Sequence, residues 1–403
     1  MSLLNRLACG LAALFLLSAC ATLRGDDTPA PLILISLDGV HPDYLGRGDT
    51  PALDALAADG VLARWMTPSY PTLTFPNHYT LVTGLRPDHH GIVNNTIRDP
   101  ELGRFTLSNR EAVGDGRWWG GEPLWVTAQK AGLSAATMFW PGSEAEIAGM
   151  RPDRWTPFDG KLPPEARVDR LLGWMDLPAA ARPHFITLYF EHVDSAGHYH
   201  GPESPERVAA LAQIDAALQR LFDGLRARGL FDRVNIIVVS DHGMAETTPQ
   251  RLVFLDDLMD LDDWEVVTAG QVVGLSPTRE DAALPRENPH LQCWRKEDLP
   301  AEWHYGTHPR IPEVICQAAI GWKALRRADL LRFGGRVNGG EHGFAPEEPA
   351  MRALFLAHGP DFARGRVIDP IDNVDVYPVL AELLGLTPLP NDGDATRLRA
   401  ALR

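Results

Sequence analysis

A chain of 403 residues with 45% hydrophobic and 23% charged content has the make-up of a folded globular protein, large enough for one big α/β domain with an insertion or for two domains. Disorder over most of its length is excluded. The formal net charge of -15, with no Lys/Arg stripe, excludes bulk binding of a nucleic-acid backbone, so a phosphate-bearing substrate has to be drawn in by local cations.

At the N-terminus, Arg6 precedes an apolar stretch, Leu7 to Leu17, that is too short to span a membrane and has the layout of a secretory signal. Leu17-Ser18-Ala19-Cys20 resembles a bacterial lipobox, so residues 1–20 read as a lipoprotein-type signal peptide with Cys20 as the lipidation site. An ordinary cleaved signal, with Cys20 incidental, is the alternative. Ala21 after the cysteine points to the outer membrane and a periplasmic location, with residues 21–30 as a tether. Membrane association is then by the lipid alone. Cys9 leaves with the signal, and Cys293 and Cys316 are expected to pair in an oxidising compartment, two unpaired buried thiols being the other reading.

Strand-like runs at 32–37, 133–138, 185–190, 234–240, 314–318 and 353–357 alternate with helical segments at 50–59, 206–228 and 374–385. That alternation predicts an α/β fold with a largely parallel, doubly wound sheet and helices on both faces. Residues 250–335 differ in texture, with the acidic LDDLMDLDDWE, the turn-rich SPTREDAALPRENP and Trp294, Trp303 and Trp322, and read as an inserted subdomain placed to help wall a site.

Three apolar runs end on an aspartate: LILISLD on Asp38, FITLYFEHVD on Asp194 and NIIVVSD on Asp241, with His242 next. Ligands of open α/β sheets bind beyond the carboxyl ends of such strands, so the three acids converge on one edge. His198 follows Asp194 by four residues, and His342 sits in the turn GGEHG. Singly, such an aspartate is a turn or helix cap and such a histidine a loop residue. Together they stay unsatisfied without a cation. Three Asp and three His, with no Cys nearby, suit two adjacent metals, zinc first and manganese second, rather than calcium or magnesium.

In PSYPTLTFPNHYTLVTG, residues 68–84, Pro76 suits the first turn of a helix and Thr74 a position just before it. A hydroxyl there meets the positive end of the helix, and metal coordination would lower its pKa enough to make it a nucleophile. A plain N-cap is the alternative for Thr74. Thr72 and Ser69 remain rivals.

The stretches SLDGVHPDYL, PTLTFPNHYTLVTGLRPDHHGIVNN, PLWVTAQKAG, FWPGSE, EHVDSAGHYHGP, VVSDHGM, EHGF, FLAHGPDF and NVDVYPVLAELLGL span nearly the whole chain beyond the signal. In this set the sequence resembles the nucleotide pyrophosphatase/phosphodiesterases of the alkaline phosphatase superfamily. The resemblance implies an alkaline-phosphatase-like catalytic phosphodiesterase domain over 31–403 and two zinc ions. Asp38, Thr74, Asp241 and His242 match one metal site; Asp194, His198 and His342 match the other. Thr74 matches the nucleophile, which forms a phosphothreonine that water cleaves, and Asn95, otherwise readable as a turn asparagine, matches a donor beside the phosphoryl group. Phe75, Leu107, Phe158 and Tyr189 match an apolar slot for a nucleotide base. The implied partner is a nucleotide-type small molecule, cleaved to a nucleoside 5′-monophosphate by a monomer. Alternatives are a choline- or glycerol-type phosphodiesterase, a phosphomonoesterase or sulfatase on the same scaffold, and a non-catalytic zinc-binding lipoprotein. No Cys/Ser-x-Pro-x-Arg sulfatase signature surrounds Thr74, and Phe75 stands where a monoesterase needs cationic help.

Overall fold

The computed structural model describes residues 29–332 and 334–403; the signal peptide with Cys9 and Cys20, and most of the tether, lie outside the described residues. In chain order the principal strands are β1 (Leu32–Leu37), β2 (Val61–Ala63), β3 (Ala135–Met138), β4 (Phe185–Phe190), β5 (Asn235–Val239), β6 (Trp264–Thr268), β7 (Val272–Pro277), β8 (Leu291–Arg295), β9 (Val314–Ala318), β10 (Phe355–His358) and β11 (Arg366–Ile368). The central sheet has seven strands in the order β11-β2-β10-β5-β1-β4-β3. β1 runs parallel to both β4 and β5, β3 to β4, and β11 to β2. Only β10 is reversed in this sheet, pairing antiparallel with β5 and β2.

Both faces of the sheet are covered, which is why its strands read as unbroken apolar runs instead of alternating ones. On one face Leu32 and Leu34 pack with Tyr79, Leu81, Trp125 and Leu380, carried by helices Thr74–Thr83, Leu124–Lys130 and Val376–Leu383. On the other, Ile33, Ile35 and Leu37 pack with Leu53, Leu171, Leu218 and Leu221 from helices Pro51–Asp59, Pro164–Met175 and Pro205–Ala227. Burying each such side chain is worth about 1.5–3 kcal/mol, so a one-residue slip of β1 would move its whole apolar set against the wrong helices. Local chemistry sets the helix starts. Pro205 occupies the first turn behind a Ser204 cap whose hydroxyl accepts from Arg207 N at 3.2 Å, and the Asp215 carboxylate accepts from Ala52 N and Leu53 N at 2.9 Å each.

The run at 314–318 is not a strand of the central sheet, as the alternation suggested. It is β9, an inner strand of a separate four-stranded antiparallel sheet in the order β6-β7-β9-β8. A five-residue apolar run buried on both faces looks the same in either setting. One side of this second sheet carries its own core, including Leu255, Trp264, Val273, Leu275 and Val314. Its other side continues the main core through Val272, Ile315, Trp303 and Tyr305, with Trp303 stacked on Tyr70 at 4.2 Å. Cys293 and Cys316 face each other on β8 and β9 and are joined by a disulfide. Among the described residues no helix is long and apolar enough to cross a membrane.

Candidate active site

Because β1, β4 and β5 are parallel neighbours, the residues after them emerge at one edge of the sheet. Asp38 follows β1 directly, Asp241 comes two residues after β5, and Asp194 lies in the first turn of helix His192–His200, just beyond β4. The helix repeat stacks His198 over Asp194, with Nε2 3.4 Å from the Asp194 carboxylate. His342 arrives from the far side, 3.5 Å from the same oxygen. His242 lies 2.9 Å from Asp241 and 3.6 Å from Asp38, and its ring stacks on that of His342 at 3.5 Å.

Nδ1 of His198, His242 and His342 each lies 2.9 Å from a backbone carbonyl, of Gly340, Gly243 and Thr72 respectively. A carbonyl can only accept, so each Nδ1 carries a proton and each Nε2 is turned toward the acids, as in metal-binding imidazoles; burial opposes protonation of His242, but neighbouring Asp241 raises it above the ordinary imidazole value. Among the described residues, Asp38 Oδ1 and Asp194 Oδ1 are buried with no hydrogen-bond partner, and Asp241 Oδ2 faces only the imidazoles of His242 and His78, at 2.9 and 3.3 Å. Burial, with Asp241 and Asp194 close by, holds the Asp38 carboxyl well above the usual carboxylate range, and burial raises Asp194 as well. Burial and the neighbouring His242 and His198 push His342 well below the ordinary imidazole value, which keeps it neutral. Orphaned acid oxygens beside imidazole nitrogens are a donor set that fits divalent metal. Asp194, His198 and His342 form one group close enough to share an ion, and Asp38 with Asp194 and His242 form another that adjoins it.

The structure separates the three hydroxyl candidates. Ser69 donates to Asn373 at 2.8 Å within the core, and Thr72 donates to Phe344 O at 2.8 Å while accepting from Gly343 N at 3.0 Å. Thr74 is the first residue of its helix, not the residue before it, and does not cap it. Its Oγ1 lies 3.4 Å from His242 Nε2, among the acids and imidazoles. The cap comes from Asn95, whose side-chain oxygen accepts from Phe75 N at 3.0 Å, which holds the Asn95 amide at the start of the Thr74 helix.

Thr74, Asp38 and Asp194 open onto a cavity of about 210 Å³ that is also lined by Phe75, Leu107, Phe158 and Tyr189, bringing all four slot candidates together. No described residue of 250–335 lines it. Tyr189 does more than offer a ring: its hydroxyl donates to Asp38 Oδ2 at 2.6 Å. Fully buried Arg167 clamps Glu191 with contacts of 2.6 and 2.8 Å and also donates to Tyr189 O, fixing the end of β4 from which Asp194 departs.

Comparison with known proteins agrees with this geometry. The family model described as type I phosphodiesterase / nucleotide pyrophosphatase matches residues 32–345. The chain belongs to this family. It is 38% identical over 383 residues, 90% of its length, to an uncharacterized pyrophosphatase/phosphodiesterase of Schizosaccharomyces pombe, of which it covers 78%. It is 37% identical to rat ectonucleotide pyrophosphatase/phosphodiesterase family member 3, with 94% of this chain and 45% of that protein aligned, so it spans about half the length of such relatives. Murine ectonucleotide pyrophosphatase/phosphodiesterase 5, solved as an inactive threonine-to-alanine variant in complex with AMP, superposes with a TM-score of 0.87 at 31% identity, covering 93% of this chain and all of the other. The α/β architecture with a mostly parallel central sheet is that of these relatives.

Two residues of this family member escaped the sequence reading. His78 sits one helical turn beyond Thr74, fully buried, with Nδ1 2.8 Å from Thr74 O, 3.3 Å from Asp241 Oδ2, and Nε2 2.7 Å from the Ser36 hydroxyl. Both ring nitrogens are engaged, so it supports the site instead of ligating; its spacing of four from Thr74 was the available signal. Gly39 is the other. Its φ of +71° turns the chain after Asp38, its N–H donates to Asp241 Oδ1 at 3.2 Å, and a Cβ there would lie 3.1 Å from Asp194 Cα. Gly39→Ala is therefore expected to lose about 1–3 kcal/mol of stability and part of the bound metal, read from the thermal midpoint and from metal content after gel filtration. An unchanged midpoint with full metal content would show that the three acids tolerate displacement.

Proposed function

We propose that the chain is a two-zinc hydrolase that cleaves phosphodiester or phosphoanhydride bonds of nucleotides and releases nucleoside 5′-monophosphates, with Thr74 as the nucleophile. The observation that carries this reading is the Thr74 hydroxyl: of the three candidates it alone is uncommitted to the core, stands beside His242, and opens onto the aromatic cavity. Asp38, Asp241 and His242 would hold one ion with Thr74, and Asp194, His198 and His342 the other; zinc is proposed over manganese because three imidazoles share the site. When bound, the metals supply positive charge that lowers the nucleophile's pKa and offsets the charge developing on the phosphoryl oxygens. The Thr74 hydroxyl gives up its proton to solvent, and Oγ1 forms a bond to phosphorus as the bond to the leaving group breaks with its electron pair. Water oxygen then bonds to phosphorus as the Oγ1–P bond breaks, and a proton of that water restores the Thr74 hydroxyl. The helix N-terminus and the Asn95 NH2 group stabilise the equatorial oxygens throughout, and Phe75, Leu107, Phe158 and Tyr189 hold the base. The AMP bound by the murine relative supports a nucleotide in this slot.

Diester preference follows from what lines the cavity. Arg110 is the one cation among its lining residues, and it is tied to Glu144 by an ion pair. Nothing there meets the second charge of a monoester, whereas apolar burial of a base at about 25 cal/mol per Å² stabilises a diester's transition state by a few kcal/mol. The thymidine 5′-monophosphate p-nitrophenyl ester is expected to exceed p-nitrophenyl phosphate in kcat/KM by about a hundredfold or more. Thr74→Ala should lose several orders of magnitude in turnover, whereas Ser69→Ala should not. Equal hydrolysis of the monoester places the chain among phosphatases. No turnover of either favours the binding-protein alternative.

We also propose that Cys20 carries a lipid that anchors the mature chain at the outer membrane on its periplasmic side. The support is the layout of Arg6, Leu7 to Leu17 and the residues closing on Cys20. Cys20→Ser should move the protein to the soluble fraction with activity intact; retention with the membranes would contradict the anchor.

A further inference from the structure

We propose that a cleft between the second sheet and the segment that follows His342 binds a linear diamine or polyamine, a small molecule carrying more than one primary ammonium group. This binding is independent of the reaction proposed above. The cleft, of about 1220 Å³, is lined by Glu287 from the loop before β8, Trp294 on β8, Trp303 from the chain between β8 and β9, and Gln317 on β9, while Glu347 and Glu348 form the wall supplied by the segment after His342. It shares no lining residue with the aromatic cavity beside Thr74.

Gln317 calls for a donor. Strand alternation puts it on the face of β9 that bears Ile315, the partner of Trp294 across the β8–β9 pair, and this is the face turned to the cleft. The side chain is 7% exposed, and its Nε2 lies 3.1 Å from the carbonyls of Gln271 and Ala318 and 3.4 Å from that of Gly343, which fixes the orientation of the amide. Its Oε1 is left buried with no hydrogen-bond partner. Such an acceptor is costly to leave empty, and only a ligand with an N–H or O–H satisfies it. The charges select the N–H of a cation. Among the described residues none of Glu287, Glu347 and Glu348 has an ion-pair partner; Glu347 accepts from Trp303 Nε1 at 3.3 Å, and Arg286, the one arginine or lysine of the lining, donates to Asp257 O instead. Burial and the nearby Glu347 raise the Glu348 carboxyl above its ordinary value, a cost that a bound cation relieves. Trp294, half-buried and edge-on to Trp303 at 5.4 Å, adds an indole surface that attracts ammonium groups and covers the methylenes between them. Carboxylates on two walls suit a ligand charged at both ends.

Calorimetric titration of the full chain with 1,6-diaminohexane at low ionic strength tests this, beside hexamethonium, which has the same span and charge but no N–H. The diamine is expected to fill a single saturable site and to bind about fivefold or more tighter than hexamethonium, because it alone donates to Gln317 Oε1. Gln317→Leu should erase that preference. Nα-acetyl-lysine amide, standing in for a protein's lysine side chain, should bind about tenfold or more weaker than the diamine, having a single ammonium for the two walls. Glu347→Gln/Glu348→Gln should weaken the diamine by about tenfold or more with the thermal midpoint and hydrolytic activity unchanged, whereas Glu101→Gln/Asp262→Asn, which removes two exposed acids away from the cleft, should not weaken it. Equal weakening by both double variants, or binding that never saturates, is general attraction to an acidic protein and overturns the site. Hexamethonium or the lysine amide binding as tightly as the diamine overturns the diamine as its ligand.

Discussion

Three carboxylates sealed into one sheet edge, those of Asp38, Asp194 and Asp241, cannot all be ionised without cations, and this constraint organises the rest of the molecule. Two like charges about 4 Å apart cost about 4 kcal/mol even at an effective dielectric near 20, and each acid here also loses hydration. The chain does not relieve that cost with arginine or lysine. It surrounds the acids with three imidazoles whose Nδ1 protons are committed to backbone carbonyls, which turns each Nε2 toward the acids. Such a donor set fits divalent metal.

The fold delivers this pocket with little freedom. Parallel β1, β4 and β5 put three strand ends side by side, both sheet faces are packed with helices, and the turn after β1 admits only a glycine's approach to Asp194. The helix carrying Thr74 then aims its positive end at the acids, with Asn95 in place of a local cap. The insertion contributes indirectly. Lys323 pairs with Glu341 at 2.6 Å, which steadies the residue before His342, and residues 266–272 wall a polar cleft. Thus an apolar cavity and a cleft lined by Arg104, Arg326 and Arg332 both border residues 73–75.

Much of this was legible before any coordinates. The runs ending on Asp38, Asp194 and Asp241 mark strands by their apolar continuity, and strand direction follows from the helices between them. Direction fails where no helix intervenes as a crossover: the run at 353–357 gives no sign that β10 is reversed, because an apolar strand reads the same both ways. Spacing alone does not choose among Ser69, Thr72 and Thr74, which the family resemblance resolves toward Thr74. The physical choice depends on Asn373, Phe344 and Gly343, all more than 250 residues away in the chain, which capture the first two hydroxyls. The Tyr189 hydroxyl on Asp38, the Arg167 clamp and the unpaired Gln317 oxygen are tertiary facts of the same kind, with no periodic or motif signal to announce them.

The most direct measurement is anomalous diffraction at the zinc edge from crystals of the metal-loaded protein. Two peaks are expected, one within coordination distance of Asp38, Asp241 and His242 and the other of Asp194, His198 and His342, with the Thr74 oxygen directed at the first. A single ion, or ions that leave the three buried carboxylates unligated, would contradict the claim that this sheet edge is built around a pair of cations.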